Sequence, residues 1–183
     1  FKAADYAVNI QDPDFVSAGK TSAKFGESVS VEALDRLADG YDLLSVTYNG
    51  REVKVAKASA TDTKYAGTFK MPAEDVLLIA YYKEHEYSIE VETESQAYLT
   101  ADKSTATISD RVRFSVQNIP SNKTLSEIQV IKKGSTDVLF SFDGAKYSDG
   151  GYIDMRDAKA NLVLKAVLID RSYQIVCENA TAK

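Results

Sequence analysis

The sequence is poor in the residues that carry most enzyme chemistry: its 183 residues include one His, one Cys, no Trp and three Pro. A histidine pair, a cysteine cluster and a two-cysteine redox couple are therefore excluded as the basis of a mechanism. A single Cys is compatible with an exported protein that avoids thiols and with a cytosolic protein, so it does not indicate a redox compartment. We expect no catalytic residue, no metal site and no cofactor.

Long apolar runs and an excess of basic residues are also absent. The longest apolar run, residues 76–82, has seven residues, whereas a membrane-spanning helix needs about 20. The net charge is -5, from 22 Lys and Arg against 27 Asp and Glu, and no basic face that could neutralise phosphates is concentrated in the sequence. We therefore expect neither nucleic-acid binding nor membrane insertion, and we interpret the chain as a soluble fragment of a longer protein.

What the sequence does contain is an internal repeat. Residues 6–10 are matched by residues 87–91 at an offset of 81, and residues 76–82 are matched by residues 162–168 at an offset of 86. Segments between them match at offsets of 83 and 84, and residues 173–177 restart the opening motif. An offset that only grows indicates small loop insertions in the second copy. The predicted domains are repeat 1 at 1–85, repeat 2 at 86–171 and the truncated start of a third repeat at 172–183.

Periodicity predicts β-strands throughout. Apolar and polar residues alternate along residues 87–94 and 112–117, and Asn49-Gly50 is typical of a tight β-hairpin. One segment, residues 31–37, has apolar residues at helical spacing, and we give it little weight because its counterpart alternates like a strand. We predict an all-β fold of two tandem small β-sandwich-like domains, with a β-grasp-like sheet as the alternative, of about seven short strands each.

Four motifs of the first repeat, at residues 26–31, 40–46, 49–50 and 69–76, resemble those of a known family. They are similar to the G-E-x-V, G-Y, N-G and F-x-M-P-A-x-D-V patterns of the Listeria and Bacteroides type B-repeats, tandem repeats of bacterial cell-surface proteins. The second repeat departs from the pattern, for instance with Asp110 in place of the Glu. The resemblance implies an exported, wall-attached protein in which such modules act as stalks or ligand-binding segments, and it supplies no catalytic residues.

Few titratable residues stand out. His85 lies in a polar junction, so we expect a solvated side chain, and Cys177 stands at an aliphatic position of the repeated first strand, so we expect a small core residue. Five aspartates in two clusters could offer oxygens to Ca²⁺, but their spacing is not that of a calcium loop, and turn formation is the favoured interpretation. These aspartates are Asp12, Asp14, Asp149, Asp154 and Asp157. Glu90, Glu92 and Glu94 alternate, which indicates a solvated strand face or a guard against edge-to-edge pairing.

The last strand of each repeat is apolar on both faces. One face of the first copy is Val76, Leu78, Ala80 and Tyr82, and the other is Leu77, Ile79 and Tyr81, which match Val163, Lys165 and Val167 of the second copy. Only one face of a strand meets the core of a two-layer domain. The other face is either covered by a loop or a neighbouring domain, or exposed for a partner. Candidate binding residues are therefore Leu77, Ile79, Tyr81, Val163 and Val167.

These observations predict a non-enzymatic, extracellular fragment of a bacterial cell-surface protein. It would act as a stalk or as an adhesin-type binding module for a host or neighbouring-cell macromolecule, for instance a secreted glycoprotein such as immunoglobulin. We expect a monomer within a longer multi-repeat chain. The rival hypothesis is an accessory carbohydrate-binding or spacer module of a secreted enzyme, which glycan binding without a protein ligand would favour.

Overall fold

A computed structural model describes residues 4–172 of the chain. The chain divides into two compact units with the boundary between His85 and Glu86. The predicted start of a third repeat and Cys177 lie outside the described residues, apart from Ser172 itself. None of the helices in the described part of the chain has the length and apolar character needed to cross a membrane.

Unit 1 contains nine strands and a short 3-10 turn at Leu37–Asp39. The strands are β1 (Asp5–Ile10), β2 (Val16–Ala18), β3 (Ser22–Lys24), β4 (Ser28–Leu34), β5 (Tyr41–Tyr48), β6 (Arg51–Val53), β7 (Val55–Ala56), β8 (Lys64–Lys70) and β9 (Val76–Glu84).

Up to residue 172, unit 2 contains eight strands, a 3-10 turn at Thr93–Ser95 and the short helix α1 (Met155–Ala158). The strands are β10 (Tyr87–Val91), β11 (Leu99–Ala101), β12 (Thr105–Ala106), β13 (Arg111–Val116), β14 (Lys123–Lys132), β15 (Val138–Asp143), β16 (Gly151–Asp154) and β17 (Leu162–Asp170). The all-β prediction is confirmed. The number of strands per unit exceeds the predicted value because several strands have only two or three residues, too few for an alternating pattern to show.

Each unit consists of two sheets. Unit 1 has a five-stranded sheet in the order β3-β1-β9-β5-β6 and a four-stranded sheet in the order β2-β4-β8-β7. Unit 2 has a five-stranded sheet in the order β12-β10-β17-β14-β15 and a three-stranded sheet in the order β11-β13-β16. When the strands of the two units are matched in chain order, with β7 left unmatched, the two five-stranded sheets have the same strand order. Among the described residues the smaller sheet of unit 2 has no counterpart of β7. Common origin of the two units stays a prediction from the sequence.

The strands form where small or β-branched apolar residues alternate with polar ones. In β4, Val29, Val31 and Ala33 are buried and the serines and glutamate between them are exposed, so one side of the strand faces the core. The helical spacing at residues 31–37 is therefore misleading: the strand continues to Leu34. The turn that follows ends at Gly40, whose φ of 91° is the left-handed conformation that glycine adopts without strain.

The first and last strands of each unit lie side by side and run parallel. Val8 pairs with Val76 between β1 and β9, and Ile89 pairs with Leu162 between β10 and β17. Parallel neighbours cannot be joined by a tight turn, so the remainder of each unit forms the connection between them. The pairing of β1 and β9 therefore closes the fold of unit 1, and that of β10 and β17 closes unit 2.

A side chain just before the last strand fixes this closure in both units. The Ala7 N–H in β1 donates a hydrogen bond of 2.7 Å to Oδ1 of Asp75, and the Ser88 N–H in β10 donates one of 2.8 Å to Oδ1 of Asn161. Asp75 and Asn161 directly precede β9 and β17. The same contact at the same place in each unit holds the register of the parallel pair.

Removal of these acceptors should loosen the closure. We expect Asp75→Ala to lower the free energy of unfolding of unit 1 by about 2 kcal/mol and Asn161→Ala to lower that of unit 2 by about 1 kcal/mol, since a charged acceptor contributes more than a neutral one. Urea denaturation measures both, and hydrogen exchange of the Ala7 and Ser88 amides locates the effect. Glu74→Ala is the control. Unchanged exchange at these two amides would contradict the role of the acceptors.

Candidate functional site

The candidate binding residues of unit 1 lie in the middle of its five-stranded sheet, on the surface that faces away from the core. We call this surface the outer face of unit 1. Leu77 and Tyr81 are 40% and 45% exposed, and Ile79 between them is half-buried. Val76 and Leu78, which lie on either side of Leu77 in the strand, are buried in the core. Of the two apolar faces of this strand, one therefore packs in the core and the other faces solvent.

The residues that flank this row on neighbouring strands carry no charge. Asn9 on β1 pairs with Leu77, while Thr47 and Ser45 on β5 pair with Ile79 and Tyr81. A bulge in β5 leaves an extra residue, Leu44, between the partners of Tyr82 and Tyr81, and this leucine is 63% exposed. The bulge thus adds a further apolar side chain to the solvent-facing residues of this sheet.

The corresponding surface of unit 2 is different. Val163 and Val167 lie on the outer side of β17, and both are half-buried rather than exposed. On the neighbouring strands Val163 pairs with Glu90 and Ile131, and Val167 pairs with Glu127. Between the two valines stands Lys165, so charged side chains interrupt the apolar row.

Ion pairs order this charged surface. The Lys133 ammonium pairs with Glu90, and the Lys165 ammonium lies 3.1 Å from the Glu92 carboxylate. The bulge of β14 presents Ser126 at the place where the bulge of β5 presents Leu44. The exposed large apolar residues of this sheet within residues 4–172 are Val138 and Leu139 at the start of β15 and Ile169 near the end of β17. The structure therefore separates the five candidate residues into an apolar set on unit 1 and a set on unit 2 that is mixed with charges.

The predicted row of glutamates is partly wrong. Glu90 lies in β10, but the strand ends at Val91, and Glu94 belongs to the 3-10 turn that follows. A guard against edge pairing is also wrong, because β10 lies between β12 and β17 and is not an edge strand. The role of these carboxylates is to pair with lysines and, for Glu92, to accept a hydrogen bond of 3.1 Å from the Ser95 hydroxyl.

His85 is not the freely solvated residue that its sequence context predicts. Its side chain is half-buried, and Nδ1 lies 2.9 Å from both carboxylate oxygens of Asp42. Its backbone N–H donates a hydrogen bond of 2.8 Å to the carbonyl oxygen of Gly40. These contacts attach the last residue of unit 1 to the start of β5. The sequence gives no sign of this pairing, because His85 and Asp42 are 43 positions apart.

The aspartates considered for Ca²⁺ occupy turns and caps. Asp154 caps helix α1, where its Oδ1 accepts a hydrogen bond of 3.1 Å from the Arg156 N–H. The neighbouring Arg156 guanidinium holds the pKa of the Asp154 carboxyl below its usual range. The backbone carbonyl of Asp12 accepts bonds from the Phe15 and Val16 amides. Within residues 4–172, no group of three His, Cys, Asp or Glu side chains is placed to hold a metal ion.

One exposed aromatic residue has no sequence signal of its own. Phe25 is 72% exposed, at the tip of the turn between β3 and β4. The turn is fixed on both sides: the Lys24 N–H donates to the Glu27 carboxylate at 3.0 Å, and the Gly26 N–H donates to the Met71 carbonyl oxygen at 2.8 Å. The aligned residue of unit 2, Ile108, is only 8% exposed. Both repeats have an apolar residue at this position, so the sequence does not indicate that Phe25 is exposed and Ile108 buried.

A lysine and carboxylate pair supports the same turn in both units. Lys20 pairs with Glu27, and Lys103 pairs with Asp110, whose Oδ2 also accepts a bond of 2.8 Å from the Thr107 N–H. The Lys20 ammonium lowers the pKa of the Glu27 carboxyl, and the Lys103 ammonium lowers that of Asp110. Asp110, which stands in the second unit where the first has Glu27, thus makes the same ion pair with a lysine.

Comparison of the chain with models of protein families, with curated proteins and with solved structures found no match. The resemblance to B-repeats therefore stays a prediction from the motifs of the first repeat.

The carboxylates of these turns should make the protein sensitive to acid. Because each carboxyl binds its proton less tightly when folded, its contribution to stability is present above the ordinary pKa of about 4 and is lost as the pH falls through the lower folded-state value. We expect the free energy of unfolding to fall below about pH 5, and to fall less in Lys103→Met. Urea denaturation across a pH series measures this.

The matched control is Lys70→Met, because no ion pair holds Lys70 within the described part of the chain. It should keep the acid dependence of the wild type. An equal acid dependence in Lys103→Met and the wild type would contradict the assignment.

Proposed function

We propose that the chain is a non-enzymatic binding module of a bacterial cell-surface protein, and that the outer face of unit 1 binds a secreted host or neighbouring-cell protein such as immunoglobulin. The observation that carries the proposal is the apolar row of exposed Leu77, half-buried Ile79 and exposed Tyr81, with the uncharged neighbours Asn9, Ser45 and Thr47 on the adjacent strands. The extracellular location follows from the resemblance and is part of the proposal.

The chemistry of this surface suits a protein partner. Burial of the row by a partner removes apolar area from water, and each Å² of buried apolar area contributes roughly 25 cal/mol of favourable free energy. Tyr81 provides a rigid aromatic ring with a polar end, and residues of this type contribute strongly at protein interfaces. Asn9, Ser45 and Thr47 offer hydrogen-bonding groups around the row, at no cost in buried charge. The exposure of Leu77 and Tyr81 supports the binding role.

The two units provide a matched comparison. Positions 77 and 81 on unit 1 correspond to positions 163 and 167 on unit 2. Where unit 1 presents Asn9 and Ser45, unit 2 presents Glu90 and Glu127, and where unit 1 presents Ile79, unit 2 presents Lys165, which pairs with Glu92. Charged residues are depleted at the centre of protein interfaces. Unit 2 therefore acts in this proposal as a support or spacer for the binding unit, and Val163 and Val167 have no part in binding.

The test is binding of the immobilised chain to pooled human immunoglobulin, serum and mucosal secretions, measured by biolayer interferometry and identified by mass spectrometry. The variant Leu77→Lys/Tyr81→Lys should weaken binding at least about tenfold. The matched control Val163→Lys/Val167→Lys should bind like the wild type. Both variants alter solvent-facing positions, and their thermal unfolding checks that they fold.

Two results would contradict the proposal. Equal loss of binding in both variants would remove the assignment to unit 1. If no protein from these fluids is bound, the stalk is the remaining hypothesis. Binding on a glycan array without a protein ligand would favour the carbohydrate-binding alternative.

A further inference from the structure

A second apolar surface of unit 1 lies beside the turn that carries Phe25. There an open groove of about 520 Å³ is lined by Phe25, Tyr48, Met71, Pro72 and Ala73, with Arg51, Lys70 and Glu74 among its charged residues. We call it the Phe25 groove. Its size is within the range of ligand-binding clefts. It shares no lining residue with the row of Leu77, Ile79 and Tyr81.

The exposure of Phe25 is fixed by the backbone. Gly26 has a φ of 78°, and its N–H is bonded to the carbonyl oxygen of Met71, while the Met71 N–H donates a bond of 2.8 Å to the Glu27 carbonyl oxygen. These two bonds join the turn to the segment that lines the other side of the groove. Phe25 therefore stays at the rim instead of folding into the core, which leaves a large apolar side chain exposed in a defined position.

In unit 2 the segment that corresponds to residues 72–75 is longer and partly buried. The segment between Met155 and Leu162 has six residues, whereas the segment between Met71 and Val76 has four. The longer segment contains helix α1, and two of its alanines, Ala158 and Ala160, are buried. The residue aligned with Phe25, Ile108, is buried as well. Unit 2 thus buries the counterpart of Phe25 together with two small apolar side chains of the longer segment, whereas unit 1 leaves Phe25 exposed.

The charges at the groove indicate what such a segment would carry. Arg51 and Lys70 supply two cations against the single carboxylate of Glu74. Within residues 4–172 no ion pair engages the Arg51 guanidinium or the Lys70 ammonium. Their charges are available to an incoming carboxylate, and complementary charge favours one partner over others.

We propose that the Phe25 groove binds a segment of a partner polypeptide that presents a small apolar side chain next to a carboxylate. The segment takes the place that the α1 segment takes in unit 2, and its carboxylate lies towards Arg51 and Lys70. This site is separate from the outer face of unit 1 and does not depend on the function proposed for that face.

The experiment is selection of a phage-displayed library of random linear peptides on the immobilised full chain. The expected result is enrichment of peptides with Ala, Val or Pro adjacent to Asp or Glu. Their binding should fall at least about tenfold in Phe25→Ser, a change at an exposed position that thermal unfolding should show to be tolerated. The double variant Arg51→Glu/Lys70→Glu should select peptides that carry Lys or Arg in place of the acid.

The control is Leu77→Lys/Tyr81→Lys, which removes the outer face and should bind the selected peptides like the wild type. Failure of this control would mean that the peptides bind the outer face, and it would overturn the groove as their site. Two further results would overturn the proposal. One is that the selection yields no peptide whose binding depends on Phe25. The other is that the charge-reversed variant selects the same peptides as the wild type.

Discussion

The parallel pairing of first and last strands is the constraint on which each unit depends. Every other element of unit 1 lies in the connection between β1 and β9, and the same holds for β10 and β17 in unit 2. The backbone N–H of the first strand bonds to Asp75 in one unit and to Asn161 in the other, which sets where the two strands meet. Since a shift by one residue would turn the core residues of β9 towards solvent, this register also decides which side chains form the outer face.

On this shared framework the two units present different surfaces. The inward-facing residues of the central strand are apolar in both, because they form the core. The outward-facing positions are free to differ, and they do so in a consistent way: unit 1 combines Leu77 and Tyr81 with uncharged neighbours, and unit 2 combines Val163 and Val167 with ion-paired glutamates and lysines. The Phe25 groove follows the same division, since unit 2 buries Ile108, its counterpart of Phe25, and has a longer segment before its last strand. Both apolar surfaces are thus on the first unit.

Much of the strand content could be predicted from period-two alternation, because residues such as Val29 and Val31 report a buried side directly. The Asn49-Gly50 hairpin was also predictable, and both residues have positive φ. The parallel closure was not, since contacts between residues 68 positions apart leave no local signal. The same reason explains why the pairing of His85 with Asp42 and the different character of Val163 were missed. The exposure of Phe25 depends on the geometry of one turn, and the sequence shows only an apolar residue beside a glycine.

The central claim is that partner binding belongs to unit 1 and that unit 2 supports it. Hydrogen exchange of the full chain, alone and in the presence of pooled human immunoglobulin, tests this most directly because it reads both units in one experiment. We expect slower exchange in β5 and β9 of unit 1 and unchanged exchange in β14 and β17 of unit 2. Protection confined to β14 and β17, or no protection in either unit, would contradict the claim.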